Sequence, residues 1–486
     1  MRVCFITPPS LFLLDERVFP ALGILKVAAV AEQLGHDVEH LDLNGVKDYV
    51  DTVRQYCSGV SRTTTIAFAI SATTPQMVAA TKIRNEIVQQ LPLARIIIGG
   101  PHATLTHAAF LAGSERAKEP MSRLLADYDF VVAGDGEKAI ETALQLKYVA
   151  GLINADDPKD RDLWLSSREL EQLPLPARHL IDLDSYHYMI DGERATPLIA
   201  QLGCPFGCYF CAGRDSAMLR RVRLRSSDHI VAEMRYIYER YGIKGFMFFD
   251  DELNVNTRLI ELLEKITRLQ HELGVSFKCR GFIKAELFTS EQAMWMYSAG
   301  FTDLLCGFES GSDRILRNIN KHATKDDNTR AIALAYQFGL RIKALMSIGH
   351  PGESMKTVRD TEEWLLAVAP HDMDATIITA YPGSPYYDKA VHVANNTWKF
   401  EVNGDCLYQY DIDYTQVEDF YKGAVDGYRS YVFTDHLTPH DLVALRNDVE
   451  HSVRRGLNIT YPQARASVVF DASMGALPGM VYRRSE

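Results

Sequence analysis

Short apolar runs alternate with amphipathic stretches from residue 1 to about 150, a pattern that predicts a doubly wound (Rossmann-like) α/β domain. The expected strands are residues 3–7, 38–43, 65–70, 95–99 and 129–132. In such a sheet ligands sit past the C-terminal strand ends. The informative residues are therefore Thr7-Pro8-Pro9, Ser71-Ala72-Thr73-Thr74, Gly99-Gly100-Pro101-His102 and Gly134-Asp135-Gly136-Glu137. Small and hydroxyl-bearing side chains there let backbone approach a large flat or phosphorylated ligand, and His102 reads as a loop histidine bonded locally. Residues 151–195 read as a connector, polar and acidic at 154–161 and held extended by the prolines of Leu173-Pro-Leu-Pro-Ala-Arg178.

Strand and helix patterns alternate again over 196–385, with strands expected at 197–202, 245–249, 276–280, 303–307, 342–348 and 375–380. Six strands with six crossovers predict a partial (β/α)6 barrel whose chemistry lies at the C-terminal strand ends. The remainder, 386–486, reads as mostly helical, with helices at 417–431 and 442–454. Its aromatics Tyr408, Tyr410, Tyr414, Phe420, Tyr421, Tyr428 and Tyr431 fit the lining of a substrate cavity or, more commonly at helical spacing, packing.

A chain of 486 residues holds two or three cores, and 47% hydrophobic with 24% charged residues is ordinary for a globular protein. The net charge of −11 argues against a global affinity for nucleic acid or an anionic membrane. Five arginines between Arg214 and Arg225 fit an anion site or a loop paired with carboxylates equally well. The apolar run Leu11 to Leu14 is interrupted by Asp15, Glu16 and Arg17 before a signal core forms, and no stretch reaches about 18 apolar residues. Eight cysteines in so long a chain make no disulfide scaffold.

Three of those cysteines change the picture. Cys204-Pro-Phe-Gly-Cys208-Tyr-Phe-Cys211 spaces its thiols C-x3-C-x2-C, one ligand short of a four-iron cluster, with no fourth Cys or His nearby. A coordination position kept for a substrate follows from that shortfall, whereas structural zinc sites close all four positions. A thiolate cluster also needs reducing surroundings, which points to the cytoplasm. Cys4 and Cys279 sit in apolar strands and read as buried thiols, and Cys406 is the isolated cysteine to watch as a radical partner. The carboxylates of Phe248-Phe-Asp-Asp-Glu252 fit either ligand orientation or helix capping.

The cysteine spacing resembles the signature of the radical S-adenosylmethionine (SAM) enzymes. The strand-end runs that precede it, with Leu34-Gly35-His36-Asp37-Val38 and the Pro-rich step to Arg178, resemble the cobalamin-binding domain of the cobalamin-type members. The resemblance covers about residues 1–400. It implies a [4Fe–4S] cluster on Cys204, Cys208 and Cys211 whose open iron chelates SAM. It implies SAM contacts from Phe210, Asp251, Arg280, Glu309, Ser310, Ser347 and Gly349, with Lys321 following the Cys306-Gly-Phe-Glu-Ser-Gly311 segment. It further implies cobalamin against Thr7, Ser71, Thr73, Gly99, Gly100, Gly134, Gly136 and Glu137. The loop after the first strand departs from many corrinoid proteins in lacking Asp-x-His-x-x-Gly, so no histidine is expected beneath the cobalt. The activity implied is methyl transfer to an unactivated carbon: one SAM methylates the cobalt, and a second yields a 5'-deoxyadenosyl radical that activates the substrate. The alternative is a non-methylating radical reaction such as oxidative cyclisation or rearrangement. A methylthiotransferase is disfavoured, since only Cys4 and Cys57 precede residue 200, and a non-catalytic sensor is the distant non-enzyme reading. A small-molecule or peptide substrate and a reductant such as flavodoxin or ferredoxin are the expected partners, with nucleic acid unlikely and no membrane.

Overall fold

The computed structural model describes residues 1–13, 15–61, 64–145, 150–420, 428–460 and 480–485. Strands β1 (Arg2–Thr7), β2 (Asp37–Asp42), β3 (Ile66–Ser71), β4 (Arg95–Gly99), β5 (Phe130–Gly134) and β6 (Gly151–Ala155) run parallel in the order β2-β1-β3-β4-β5-β6. Alternation along them sends Phe5, Ala69, Ile97 and Val132 to one face and Cys4, Ile6, Phe68 and Ile98 to the other. Both faces are covered by helices, which is why these strands read as continuous apolar runs. β6 lies in the stretch expected as a connector. Its register against β5 pairs Val132 with Ile153 and Gly134 with Ala155, so the sheet extends one strand further than the apolar pattern indicated.

The second sheet begins with a short antiparallel hairpin, β7 (Met189–Ile190) and β8 (Glu193–Leu198). The chain then forms β9 (Gln201–Leu202) and β10 (Arg223–Leu224), which pair with each other, and β11 (Gly245–Phe248), β12 (Lys278–Ile283), β13 (Phe301–Glu309), β14 (Arg341–Ile348) and β15 (Asp372–Ile377). The sheet order β15-β14-β13-β12-β11-β8-β7 places six consecutive parallel strands in an open, partial barrel. The first of these ends at Leu198 rather than residue 202, because Ala200 and Gln201 turn away to bond Asp250. β12 runs three residues past the expected end, to Ile283. Helix caps fix the crossovers: Ser226 accepts from the His229 amide at the start of Ser227–Tyr241, and Gly242 closes that helix at φ +66°.

Beyond the barrel the chain adds an antiparallel sheet to the expected helical region. β16 (Val391–His392), β17 (Thr397–Val402), β18 (Asp405–Tyr410) and β19 (Val432–Thr434) lie in sequence order. The helix Pro439–Leu457 packs on β15 and on the helix Met355–Val368. Of the helix expected at 417–431, residues 417–420 and 428–431 are turn and coil, and the rest, with Tyr421, lies outside the described residues. The last strand, β20 (Tyr482–Arg484), returns to the first sheet and pairs antiparallel with β2. One continuous apolar core joins Phe5 and Val132 to Leu198, Phe246, Ile377 and Val449. Among the described residues no helix is long and apolar enough to cross a membrane.

Candidate active site

The three cysteines occupy a loop at the C-terminal mouth of the barrel. Buried Asp250, past β11, accepts the Ala200 amide at 3.1 Å and the Gln201 amide at 2.5 Å, and so launches that loop from β8. The loop backbone is then bonded from several sides. Cys204 N donates to Leu219 O at 2.9 Å, Tyr209 N to Ile319 O at 2.9 Å, and Asn320 Nδ2 to Gly207 O at 2.9 Å. All three thiols are free. Burial raises the pKa of each, to about 12 for Cys211, while Lys321 and Lys284 beside Cys208, and Arg214 beside all three, favour the thiolates. Among the described residues no three His, Cys, Asp or Glu side chains converge on a single ion. A cubane suits such a trio, because it takes each thiolate on a different iron.

Facing the loop, β13 ends in a backbone irregularity. The register against β14 shifts between Gly307 and Glu309, and Glu309 has φ +65°. That twist aims its carboxylate across the mouth. Oε1 accepts from Lys321 Nζ at 3.1 Å, and Oε2 accepts from Ser347 Oγ at 2.7 Å. Ser347 Oγ also lies 2.7 Å from His350 Nε2, whose Nδ1 lies 3.1 Å from the Tyr386 hydroxyl. Burial lowers the His350 pKa to about 4, so the ring is neutral near pH 7. Burial works against the charge of Lys321, and Glu309 and Glu252 outweigh it, leaving its pKa raised. Glu252 is pushed up to about 7 by burial against the pull of Lys321 and Lys284, and its Oε2 has no hydrogen-bond partner among the described residues. An orphaned acceptor in a cleft shared with Glu309 and Lys321 fits the amino group of SAM.

The sites expected for SAM separate here. Phe210 lines a cleft with Glu309, Ser347, Tyr381, Phe420 and Tyr428, so two of the C-terminal aromatics reach the site rather than only packing. Gly349, at φ +100°, donates its amide to Glu353 Oε2. Asp251 is exposed, and the neighbouring Glu252 faces the cleft instead. Arg280 does not end its strand. It lies in the middle of β12 opposite Met247 and Asp303, bonded to the Tyr188 hydroxyl, because the strand continues to Ile283. Lys284, which nothing in the spacing singled out, follows the strand end with Nζ 4.3 Å from the Phe206 ring. Its one signal was a cation just past Phe282-Ile283 at a strand end. Ser310 turns away: its Oγ lies 3.1 Å from Thr361 Oγ1 and accepts the Ser312 amide.

A second cavity, mostly apolar, opens at the strand ends of the first sheet. Ser71, Gly99, Gly100, Gly134, Gly136 and Glu137 line it, with Phe5, Ala69, Ile97 and Val132 as its floor. Thr7 and Thr73 do not. Thr7 is bonded to His40 Nε2 at 3.0 Å, and Thr73 caps the turn at Gln76. His102 is also absent from this wall; it lies 3.1 Å from Thr74 Oγ1. Among the described residues the wall holds no histidine, and a flat apolar floor with a backbone-rich edge fits a corrin. Ile199, Leu202, Met218 and Leu219, from either side of the cysteine motif, close the cavity opposite the sheet. The arginines after the motif are mostly tied to protein: Arg223 to Asp135, Arg225 to Glu233, Arg220 to Pro205 O.

Residues 198–365 match the radical SAM superfamily, and residues 16–144 match the B12-binding domain. The chain therefore carries a radical SAM domain and, ahead of it, a B12-binding domain. It is 26% identical over 411 residues to an uncharacterized methyltransferase of Pyrococcus horikoshii, covering 82% of this chain and 84% of that one. It is 23% identical over 336 residues to the anaerobic magnesium-protoporphyrin IX monomethyl ester cyclase of Cereibacter sphaeroides, covering 66% of this chain and 52% of that one. Its fold matches that of TsrM, a radical SAM methyltransferase from Kitasatospora setae solved with cobalamin and a [4Fe–4S] cluster, at TM-score 0.59 and 17% identity over 83% of this chain and 81% of that one. The [4Fe–4S] cluster, SAM and cobalamin are the cofactors of these two domains.

Proposed function

We propose that the protein is a cobalamin-dependent radical SAM methyltransferase acting on an unactivated carbon of a small molecule or peptide. The observation that carries this reading is the shared wall: the apolar cavity of the B12-binding domain is closed by residues flanking the cysteine motif. When bound, the cluster supplies the electron that cleaves SAM, and cobalamin supplies the methyl group. The chain's own residues do the rest. Cys204, Cys208 and Cys211 would hold the cluster, with Arg214 favouring all three thiolates and Lys321 and Lys284 that of Cys208. Glu252 and Glu309 would accept hydrogen bonds from SAM, and Ser347 holds the Glu309 carboxylate in place. Phe210, Tyr381 and Phe420 exclude water from that cleft. A flavodoxin or ferredoxin is the reductant proposed, and the acidic chain disfavours nucleic acid.

Protein made anaerobically with cobalamin available should hold about four irons and a single cobalamin per chain. It should cleave SAM to 5'-deoxyadenosine and place a labelled methyl group from SAM on its product. Full turnover by cobalamin-free protein would refute the methyltransferase reading. The cyclase relative motivates the second reading, which predicts 5'-deoxyadenosine and a product without label.

A further inference from the structure

The segment that follows the cysteines, Ala212 to Leu224, has the cluster loop on one side and the cavity on the other. On the loop side Leu219 O accepts Cys204 N at 2.9 Å, and Gly203, at φ +85°, sits so close to Arg221 O that no side chain fits between them. On the cavity side Met218 and Leu219 form the wall. Two buried carboxylates of the first domain hold this segment. Asp156, just past β6, accepts Ser216 Oγ at 3.0 Å and the Met218 amide at 2.5 Å. Asp135, just past β5, is paired with Arg223, and both side chains are 4% exposed. Arg223 also donates to Leu165 O at 2.7 Å and lies 4.6 Å from the Trp164 ring. Gly134 packs on the Ala155–Asp156 peptide, which brings both carboxylates to one corner of the sheet.

We propose that Asp156 and the Asp135–Arg223 pair are positioning residues that set the distance and orientation between the corrin cavity and the iron–sulfur loop. They act through the wall formed by Met218 and Leu219. The inference rests on the reading of this cavity as the cobalamin site. Three features support a positioning role over general stabilisation. The bonds run from first-domain strand ends to a segment with no regular partner except β9. They end at Ser216, Met218 and Arg223, within four residues of Leu219, the acceptor of Cys204 N. Charge-assisted bonds in a buried corner hold geometry more tightly than apolar contact does.

The test compares Asp156→Ala, the milder Ser216→Ala and the conservative Asp156→Asn, which keeps an acceptor for Ser216 Oγ and Met218 N. Each reconstituted protein is assayed for iron content, reductive SAM cleavage, cobalamin affinity, and the magnetic coupling between the reduced cluster and Co(II) cobalamin. Wild type and Asp156→Asn should show one narrow coupling. Asp156→Ala should keep its iron and SAM cleavage but bind cobalamin about tenfold more weakly and show a broadened coupling, with Ser216→Ala between the two. Unchanged coupling and affinity in both alanine variants, with at most a lower melting temperature, would overturn the positioning role alone. A wild type that binds no cobalamin would overturn the cavity assignment and this inference with it.

Discussion

At the scale of single residues, the mouth of the barrel depends on side chains that are missing as much as on those present. A Cβ on Gly307 would stand 2.5 Å from Glu309 Oε1 and 3.1 Å from Lys321 Nζ, so only glycine leaves room for that ion pair. Gly307→Ala should weaken SAM binding about tenfold while iron content stays normal, measured by equilibrium binding on reconstituted protein. Glu309 itself sits at φ +65°, a conformation that costs a non-glycine residue about 1 kcal/mol or more. Glu309→Gly should therefore fold more stably than Glu309→Ala by about 1 kcal/mol, with neither binding SAM well. Denaturant unfolding of the cluster-free proteins checks the sign. His350 supplies a pH dependence. Its folded pKa, near 4, lies below the ordinary 6.5, so the unfolded chain takes the proton first, and stability is lost as pH falls from about 6.5 to 4. Buried Asp250, Glu252 and Glu353, raised to about 7, act in the opposite sense, losing stability as pH rises toward 7. The comparison is therefore between variants: His350→Gln should lose less melting temperature than wild type between pH 7 and pH 5.

Among elements, the glycines at the strand ends of the first sheet have two different jobs. Gly100 (φ +91°) has its Cβ position 2.6 Å from Ser71 Oγ, and Gly134 (φ +98°) abuts the Ala155–Asp156 peptide. Both let strand ends and loops approach each other, so substitutions there test the sheet rather than the cavity. Gly134→Ala should cost roughly 2–4 kcal/mol and loosen β6 from β5, seen as faster amide exchange over residues 151–155. Gly23 is different, for it lines the cavity and a Cβ there meets nothing within 4 Å. Gly23→Trp should fill that space and prevent cobalamin from copurifying, with iron content unchanged; bound cobalamin at wild-type level would exclude the cavity as the corrin site. The additional strands were partly legible. Tyr408 and Tyr410 are two residues apart, the spacing of β18, whereas the aromatic series as a whole also fits a helical period. β6 escaped notice because it has just two buried residues, Ile153 and Ala155, beside a polar run.

Across the whole molecule, the chain closes on itself. β20 pairs with β2, Arg484 with Asp37, and Arg483 with Asp182, so residues 480–485 cover an edge of the first sheet more than 430 positions away in sequence. Removing residues 480–486 should expose the β2 edge, lowering the melting temperature and promoting aggregation. Iron content and SAM cleavage should be untouched, because the barrel mouth lies elsewhere. Loss of the cluster on this truncation would show that the two sheets fold as one cooperative unit.

Local sequence determined the parts that rest on local physics. Apolar runs specified β1 to β5 of the first sheet and the six parallel strands of the second, and the spacing of Cys204, Cys208 and Cys211 specified a three-thiolate loop just past the first barrel strand. Tertiary structure alone decided which strand-end residues face a ligand. Thr7, Thr73, Ser310 and Arg280 carry suitable chemistry at suitable positions, yet His40, Gln76, Thr361 and Tyr188 take up their polar atoms. Lys284 and Glu252 face the mouth because β12 ends at Ile283 and Asp250 is spent on the loop, lengths and bonds that no local pattern encodes. The corner where Asp135 and Asp156 meet Ser216, Met218 and Arg223 brings together residues 60 to 88 positions apart. A hydrogen bond over that separation depends on how two sheets pack, and the packing is settled by the buried core they share.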